Sequence, residues 1–137
     1  MEPLVVDASA ILAILLEEDD AEGFAALLES ARVCWISPVQ YLEVAMVLES
    51  RNNPVISRAF DNLLRAGGVA IVPIDAEQAV LARAAYRDFG KGRHKAGLNM
   101  GDCFAYALAL QKDAPILAKG PEFGRTDLVL RQPVPGS

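Results

Sequence analysis

The chain has one histidine, His94, and two cysteines, Cys34 and Cys103, neither with another cysteine close by. These shortages exclude a zinc-finger spacing, a redox CxxC and a nucleophilic triad built on histidine. Both cysteines lie in apolar surroundings, RVCWI and GDCFAYA. They read as buried free thiols, which points to a reducing compartment. Long apolar runs are also missing: the longest uncharged one in the N-terminal region, residues 8–16, is too short to span a bilayer. The first residues include Glu2 and Asp7 but no Lys or Arg, unlike a secretory leader. A cytoplasmic protein without membrane attachment is expected. There is no G-x-G-x-x-G, and the glycine-punctuated GKGRHKAG continues into Leu98 rather than Lys, so it is not a phosphate-cradling P-loop.

What is present describes an ordinary globular chain. Its 137 residues are 53% hydrophobic and 23% charged, a balance that excludes a disordered tail or linker. A chain of this length buries roughly 68–70% of its unfolded surface and needs no covalent staples. The net charge of −5 argues against general nucleic-acid binding, which draws its affinity from Lys and Arg. Yet Arg83, Arg87, Lys91, Arg93, His94 and Lys95 crowd into one stretch interrupted only by Asp88.

Short apolar strands alternate with helical segments. Strands are expected over residues 4–6, 33–36, 69–73, 116–118 and 127–130. Between them come helices over 8–18, 21–32, 39–51, 54–65, 76–89 and about 101–111, with a basic loop at 90–97. Asp7 or Ser9, Ser37-Pro38 and Asp75 supply helix starts; Asn52-Asn53-Pro54 and Gly67-Gly68 supply stops. Strand–helix alternation implies right-handed crossovers and a parallel sheet of four to five strands flanked by helices, an α/β fold. The final QPVPGS reads as a tail.

In an open parallel sheet, ligands sit beyond the carboxyl ends of the strands, so acids at those ends are the candidates. Asp7 closes the first strand, Asp102 opens a helix, and Glu122 and Asp127 flank the loop after the 116–118 strand. Each alone is readable as a helix cap or a solvated loop acid. Glu43 is different, because it sits inside the apolar run YLEVAMVL, where a carboxylate needs a partner or a metal. Several carboxylates meeting in one place repel one another, and such a cluster persists mainly by holding a hard cation. The basic stretch with Arg87, Lys91, Arg93 and Lys95 offers phosphate contacts that the overall charge withholds.

Four segments carry a resemblance: VVDASAILAIL, SPVQYLEVAMVLE, LNMGDCFAYALAL and ILAKGPEFGRTDL. In order and spacing they resemble the acidic motifs of PIN-domain ribonucleases, and more narrowly those of the VapC toxins of type II toxin–antitoxin modules. The resemblance covers nearly the whole chain. It implies a three-layer PIN-like domain over residues 1–131 with a tail at 132–137. It also implies a Mg²⁺- or Mn²⁺-dependent endoribonuclease in which Asp7, Glu43 and Asp102 match the first three acidic positions and hold the metal. Glu122 is the nearest match to the fourth acid, with Asp127 as the alternative, because Lys119-Gly120-Pro121 stands where many members place an acid. Ser9 matches a hydroxyl residue beside the metal site. The partners implied are RNA and a VapB-type antitoxin. Apolar surface left on residues 8–16 and 24–28 is expected to receive the antitoxin, and together with residues 39–48 to support a homodimer. Two other readings stand beside this one. Asp7 with Lys119 suggests a phosphotransfer receiver, although Ala8 occupies the place of a second acid; a non-catalytic PIN-like binding module is the other.

Overall fold

The computed structural model describes residues 1–134. Five strands, β1 (Pro3–Val6), β2 (Val33–Ile36), β3 (Val69–Ile71), β4 (Ile116–Leu117) and β5 (Leu130–Arg131), form one parallel sheet in the order β3-β2-β1-β4-β5. Register runs Leu4↔Cys34 and Val5↔Ile116 on the two sides of β1, which places the first strand of the chain at the centre. Six helices complete the layers: α1 (Ala8–Leu15), α2 (Ala21–Ser30), α3 (Pro38–Ser50), α4 (Pro54–Ala66), α5 (Ala76–Phe89) and α6 (Met100–Lys112).

Alternation along β1 divides the core. Leu4 and Val6 point into a cluster with Ile11, Phe24, Leu48 and Phe60 on the α1–α4 side. Val5 points the other way, into a cluster rich in alanine, with Ala82 and Ala85 from α5 and Ala105, Ala107 and Ala109 from α6. Helix starts follow local chemistry. Asp7, Ser37, Asn53, Asp75 and Asn99 each accept a backbone N–H in the first turn, and Pro38 and Pro54 occupy the first helical position.

Two boundaries differ from expectation by three residues, more than any other. Helix α1 stops at Leu15, short of residue 18, because Glu17 adopts a left-handed φ of 53°. The Glu18 N–H then bonds to Ala13 O and the Glu17 N–H to Ile14 O, a Schellman close without a glycine. The last strand lies at Leu130–Arg131 rather than 127–130, because Thr126 Oγ1 accepts from Leu128 N–H and holds the preceding residues in a turn. The apolar surplus is also placed differently. No strongly exposed large apolar side chain lies on α1 or α2; those on helices are Leu42 and Met46 of α3, Val55 of α4, Val80 and Tyr86 of α5, and Met100 and Leu110 of α6.

Residues 135–137 of the expected tail lie outside the described residues. Gln132, inside them, is tied down: its side-chain amide donates to the carbonyls of Ala118, Lys119 and Gly120 at 3.0, 2.6 and 3.0 Å.

Candidate active site

Asp7 ends the central strand and caps α1 with the same carboxylate. Its Oδ2 accepts from Ser9 N–H (3.1 Å) and from the Ser9 hydroxyl (2.6 Å), and the residue is only 7% exposed. Burial raises its pKa above the ordinary aspartate value; the Ser9 bonds oppose that rise and the charge of Glu122 adds to it. Ser9 Oγ in turn accepts the N–H of Lys119 at 2.9 Å, fastening the loop after β4 to the β1–α1 junction.

The other acids arrive from separate elements. Glu43 projects from α3, half-buried, and its pKa is raised by burial and then by the charge of Asp7. Asp102 lies in the first turn of α6, where it forms a reciprocal capping box with Asn99 at 2.8 and 3.0 Å. Its pKa is pushed up to about 6, by burial first and then by the charges of Asp7, Glu122 and Glu43, against the lowering bond from Asn99 N–H. Asp102 thus lies within reach of the charges of three acids that come from other segments of the chain. Two glycines make room for them. A Cβ on Gly101 would lie 1.7 Å from Glu43 Oε1, and one on Gly120 would lie 2.1 Å from Glu122 Oε2.

Between the two candidates for the fourth acid, the geometry favours Glu122. Asp127 accepts the Tyr106 hydroxyl at 2.5 Å and contributes to the shift of none of the other three acids. Lys119, which a phosphotransfer site would need free, has its ammonium paired with Glu18 and with Asp20.

Sequence reasoning missed Gln40. This side chain is 1% exposed and spans the gap between the segments carrying two of the acids. Its Oε1 accepts Ala8 N–H, next to Asp7, at 2.9 Å; its Nε2 donates to Gly101 O, next to Asp102, at 2.7 Å. The signal available was its position three residues before Glu43, one turn back on the same helix face.

The basic residues stand on the surface that leads into α6. Arg87, Lys91, Arg93 and Lys95 are all exposed. Arg87 pairs with Asp88 at 3.1 Å, and Arg93 Nε donates to Arg87 O at 3.2 Å with its guanidinium 5.9 Å from the Tyr86 ring centroid. The loop that carries them is closed by a bridge between Gly90 and Leu98, and Gly92 and Gly97 hold its left-handed turns at φ 83° and 65°.

Among the described residues no three His, Cys, Asp or Glu side chains form a ready-made cage for one ion. The donor chemistry nevertheless fits a hard cation such as Mg²⁺, which binds through one or two carboxylates and keeps several of its waters. Burial first, and neighbouring negative charge after it, raise the carboxyl pKa values of Glu43 and Asp102, and a bound cation would offset both.

Comparison with known proteins gives the family. The PIN domain family model matches residues 4–128. Ribonuclease VapC28 of Mycobacterium tuberculosis is 51% identical over 124 residues, covering 90% of this chain and 93% of the relative. Ribonuclease VapC of Mycolicibacterium smegmatis is 48% identical over 125 residues, covering 91% and 97%. Among solved structures, Mycobacterium tuberculosis VapC20, a Sarcin-Ricin loop cleaving toxin, shares the fold at TM-score 0.76 and 16% identity over 95% of this chain and 99% of its own. VapBC2 from Rickettsia felis, bound to a fragment of its promoter DNA, does so at TM-score 0.71 and 16% identity over 96% and 98%. By family model and by close relatives alike, the chain belongs to the PIN domain family and, within it, to the VapC proteins.

Proposed function

We propose that the chain is an endoribonuclease, the toxin of a toxin–antitoxin pair, whose nuclease unit over residues 1–131 uses a carboxylate centre for Mg²⁺ or Mn²⁺. The observation that carries this reading is the convergence of three acids at one end of the sheet: Gln40, one turn before Glu43, bridges the backbone beside Asp7 to that beside Asp102, and the Glu43 carboxylate lies against Gly101, with the charge of Glu122 close by. Asp7 and Asp102 are the principal ligands, with Glu43 and Glu122 completing the charge directly or through water. A bound divalent cation supplies an acidified water and a counter-charge for the phosphodiester. Ser9 holds the Asp7 carboxylate in place by its 2.6 Å bond, so the acid meets the cation already oriented. The Asn99 capping box does the same for Asp102. Arg87, Lys91, Arg93 and Lys95 take the flanking phosphates, and no side chain is needed as a covalent nucleophile.

The partners follow from the relatives. VapBC pairs are the subject of two of the related structures, which supports a VapB-type antitoxin for this chain. Leu42 and Met46, 57% and 63% exposed on α3 beside Glu43, supply an apolar face for a homodimer. No helix of the described residues is long and apolar enough to cross a membrane, and a cytoplasmic location suits two free buried cysteines. Cleavage of total RNA, isolated tRNA and rRNA, with and without Mg²⁺ and with Asp7→Asn as control, tests the reading. Metal-dependent products that vanish in the variant are expected; equal cleavage by the variant would overturn it.

A further inference from the structure

The overall charge of −5 conceals a sharp segregation: helix α5 and the loop after it, residues 76–97, hold five Lys or Arg against only Glu77 and Asp88. On this positive surface two depressions lie side by side. One, about 270 Å³, runs between α5 and α6 and is lined by Arg83, Tyr86, Met100, Cys103 and Phe104 among others. The second, about 610 Å³, is bordered by Arg83, Tyr86, Arg87 and Arg93. Arg83 and Tyr86 border both, so the two form one trough. Its apolar end begins at Met100 and Cys103, on either side of Asp102 in the chain, and its far end is cationic.

The side chains lining the trough are uncommitted or only loosely held. The Arg83 guanidinium makes no hydrogen bond or ion pair among the described residues and is exposed. Arg87 pairs only with its exposed neighbour Asp88, a contact easily exchanged for a stronger one. Tyr86 is 47% exposed, with the Arg93 guanidinium 5.9 Å from its ring centroid, and Met100 is 72% exposed. An aromatic ring and apolar side chains next to three arginine forks match a nucleotide: a π-face to stack, then a phosphate to grip. A strand whose bases are unpaired presents both at once, whereas a duplex keeps its bases stacked inside.

We propose that this trough is a subsite for single-stranded RNA flanking the cut. A base lies against Tyr86, Met100 and Phe104, and the adjoining phosphate is held by Arg83, Arg87 and Arg93. The proposal rests on the ribonuclease reading above and extends it to Arg83 and Tyr86, which give the substrate its strand preference.

The test is fluorescence anisotropy of the full chain, in EDTA, with a labelled unpaired oligoribonucleotide of about 10 nucleotides and with the same sequence in a duplex. Tyr86→Ala and Arg83→Ala are expected to weaken single-strand binding roughly 5- to 100-fold, the range stacking and phosphate contacts command. Arg83→Ala should also reduce the salt dependence by about 0.7 in log–log slope. Tyr86→Phe should retain binding, Arg58→Ala on α4 should match the parent, and in cleavage the loss should fall on KM rather than kcat. Unaltered binding by Tyr86→Ala and Arg83→Ala, in a protein whose cleavage still requires Asp102, would overturn the subsite and leave the ribonuclease reading intact. A parent chain that neither binds nor cuts RNA would overturn both. If light scattering shows that the two variants split a dimer while RNA affinity is unchanged, the trough holds a second copy and the subsite is wrong.

Discussion

The two faces of the sheet are built on different principles. The α1–α4 side is filled with long side chains, Leu4, Ile11, Phe24, Leu28, Leu48 and Phe60, that close on themselves. The α5–α6 side is packed with Ala82, Ala85, Ala105, Ala107 and Ala109, which let two helices approach closely but bury little apolar area per residue. The first face is mainly a stability device. The second trades burial for a thin, close layer whose outer surface carries the exposed Tyr86 and the cations beside it. The acids sit on the seam, Asp7 from the sheet, Glu43 from the first face and Asp102 from the second, and Gln40 stitches that seam shut.

Asp7→Asn or Asp102→Asn probes the seam and should have the largest effect. Losing one carboxylate from a shared cation site removes several kcal/mol of transition-state stabilisation, about 10³-fold in cleavage rate. Circular dichroism should show an intact fold, and the melting temperature without metal should hold or rise as repulsion is relieved.

Contrasting substitutions separate the faces. Leu48→Ala should cost about 2–5 kcal/mol in urea unfolding, since a fully buried side chain leaves a cavity. Ala107→Val, at a buried position in the alanine layer, should cost about 1–3 kcal/mol by overpacking. A larger penalty for Ala107→Val than for Leu48→Ala would break the comparison. Gln40→Leu falls in the same range, about 2 kcal/mol, because Ala8 N–H and Gly101 O lose their buried partner. It should differ from both core variants in one further respect: Mn²⁺ affinity by calorimetry should drop roughly 10- to 100-fold.

The smallest expected effect is a pH dependence confined to the seam. Burial and the neighbouring acids push the Asp102 carboxyl from the ordinary aspartate value of 3.8 up to about 6, so the folded state binds its proton more tightly than the unfolded chain. Without metal, stability should therefore be greatest below pH 4, decline as pH rises to about 6, and then level off as far as this group is concerned. Glu43 and Asp7, also raised, act in the same direction. Thermal melts in EDTA should show the decline, and Asp102→Asn should flatten it; a melting temperature rising across that interval would refute the sign.

Much of this was legible in the chain. Residues that act locally announced themselves: caps such as Asp75 and Ser37-Pro38 marked helix starts, and Glu43 stood out because its neighbours are apolar. What the sequence concealed depends on contacts across the fold. A glutamine within a helix reads as surface, and only the approach of α6 to α3 and β1 makes Gln40 a buried bridge. The end of α1 was hidden because Glu17 takes a backbone conformation that usually signals glycine. Nor does the sequence show that Asp127 pairs with the Tyr106 hydroxyl, which only the fold brings to it.

Placing the first strand in the middle of a parallel sheet has a consequence for how the protein is made. The bond from Lys119 to Ser9 joins positions 110 residues apart, and β1 stays unpaired on one side until β4 has been synthesised. At ordinary translation rates, roughly 5–20 residues per second, several seconds or more separate the emergence of Asp7 from that of Glu122. During that interval the nascent chain carries its acids apart. A chain ended before β4 therefore lacks both the strand that completes the pairing of β1 and the loop that carries Glu122.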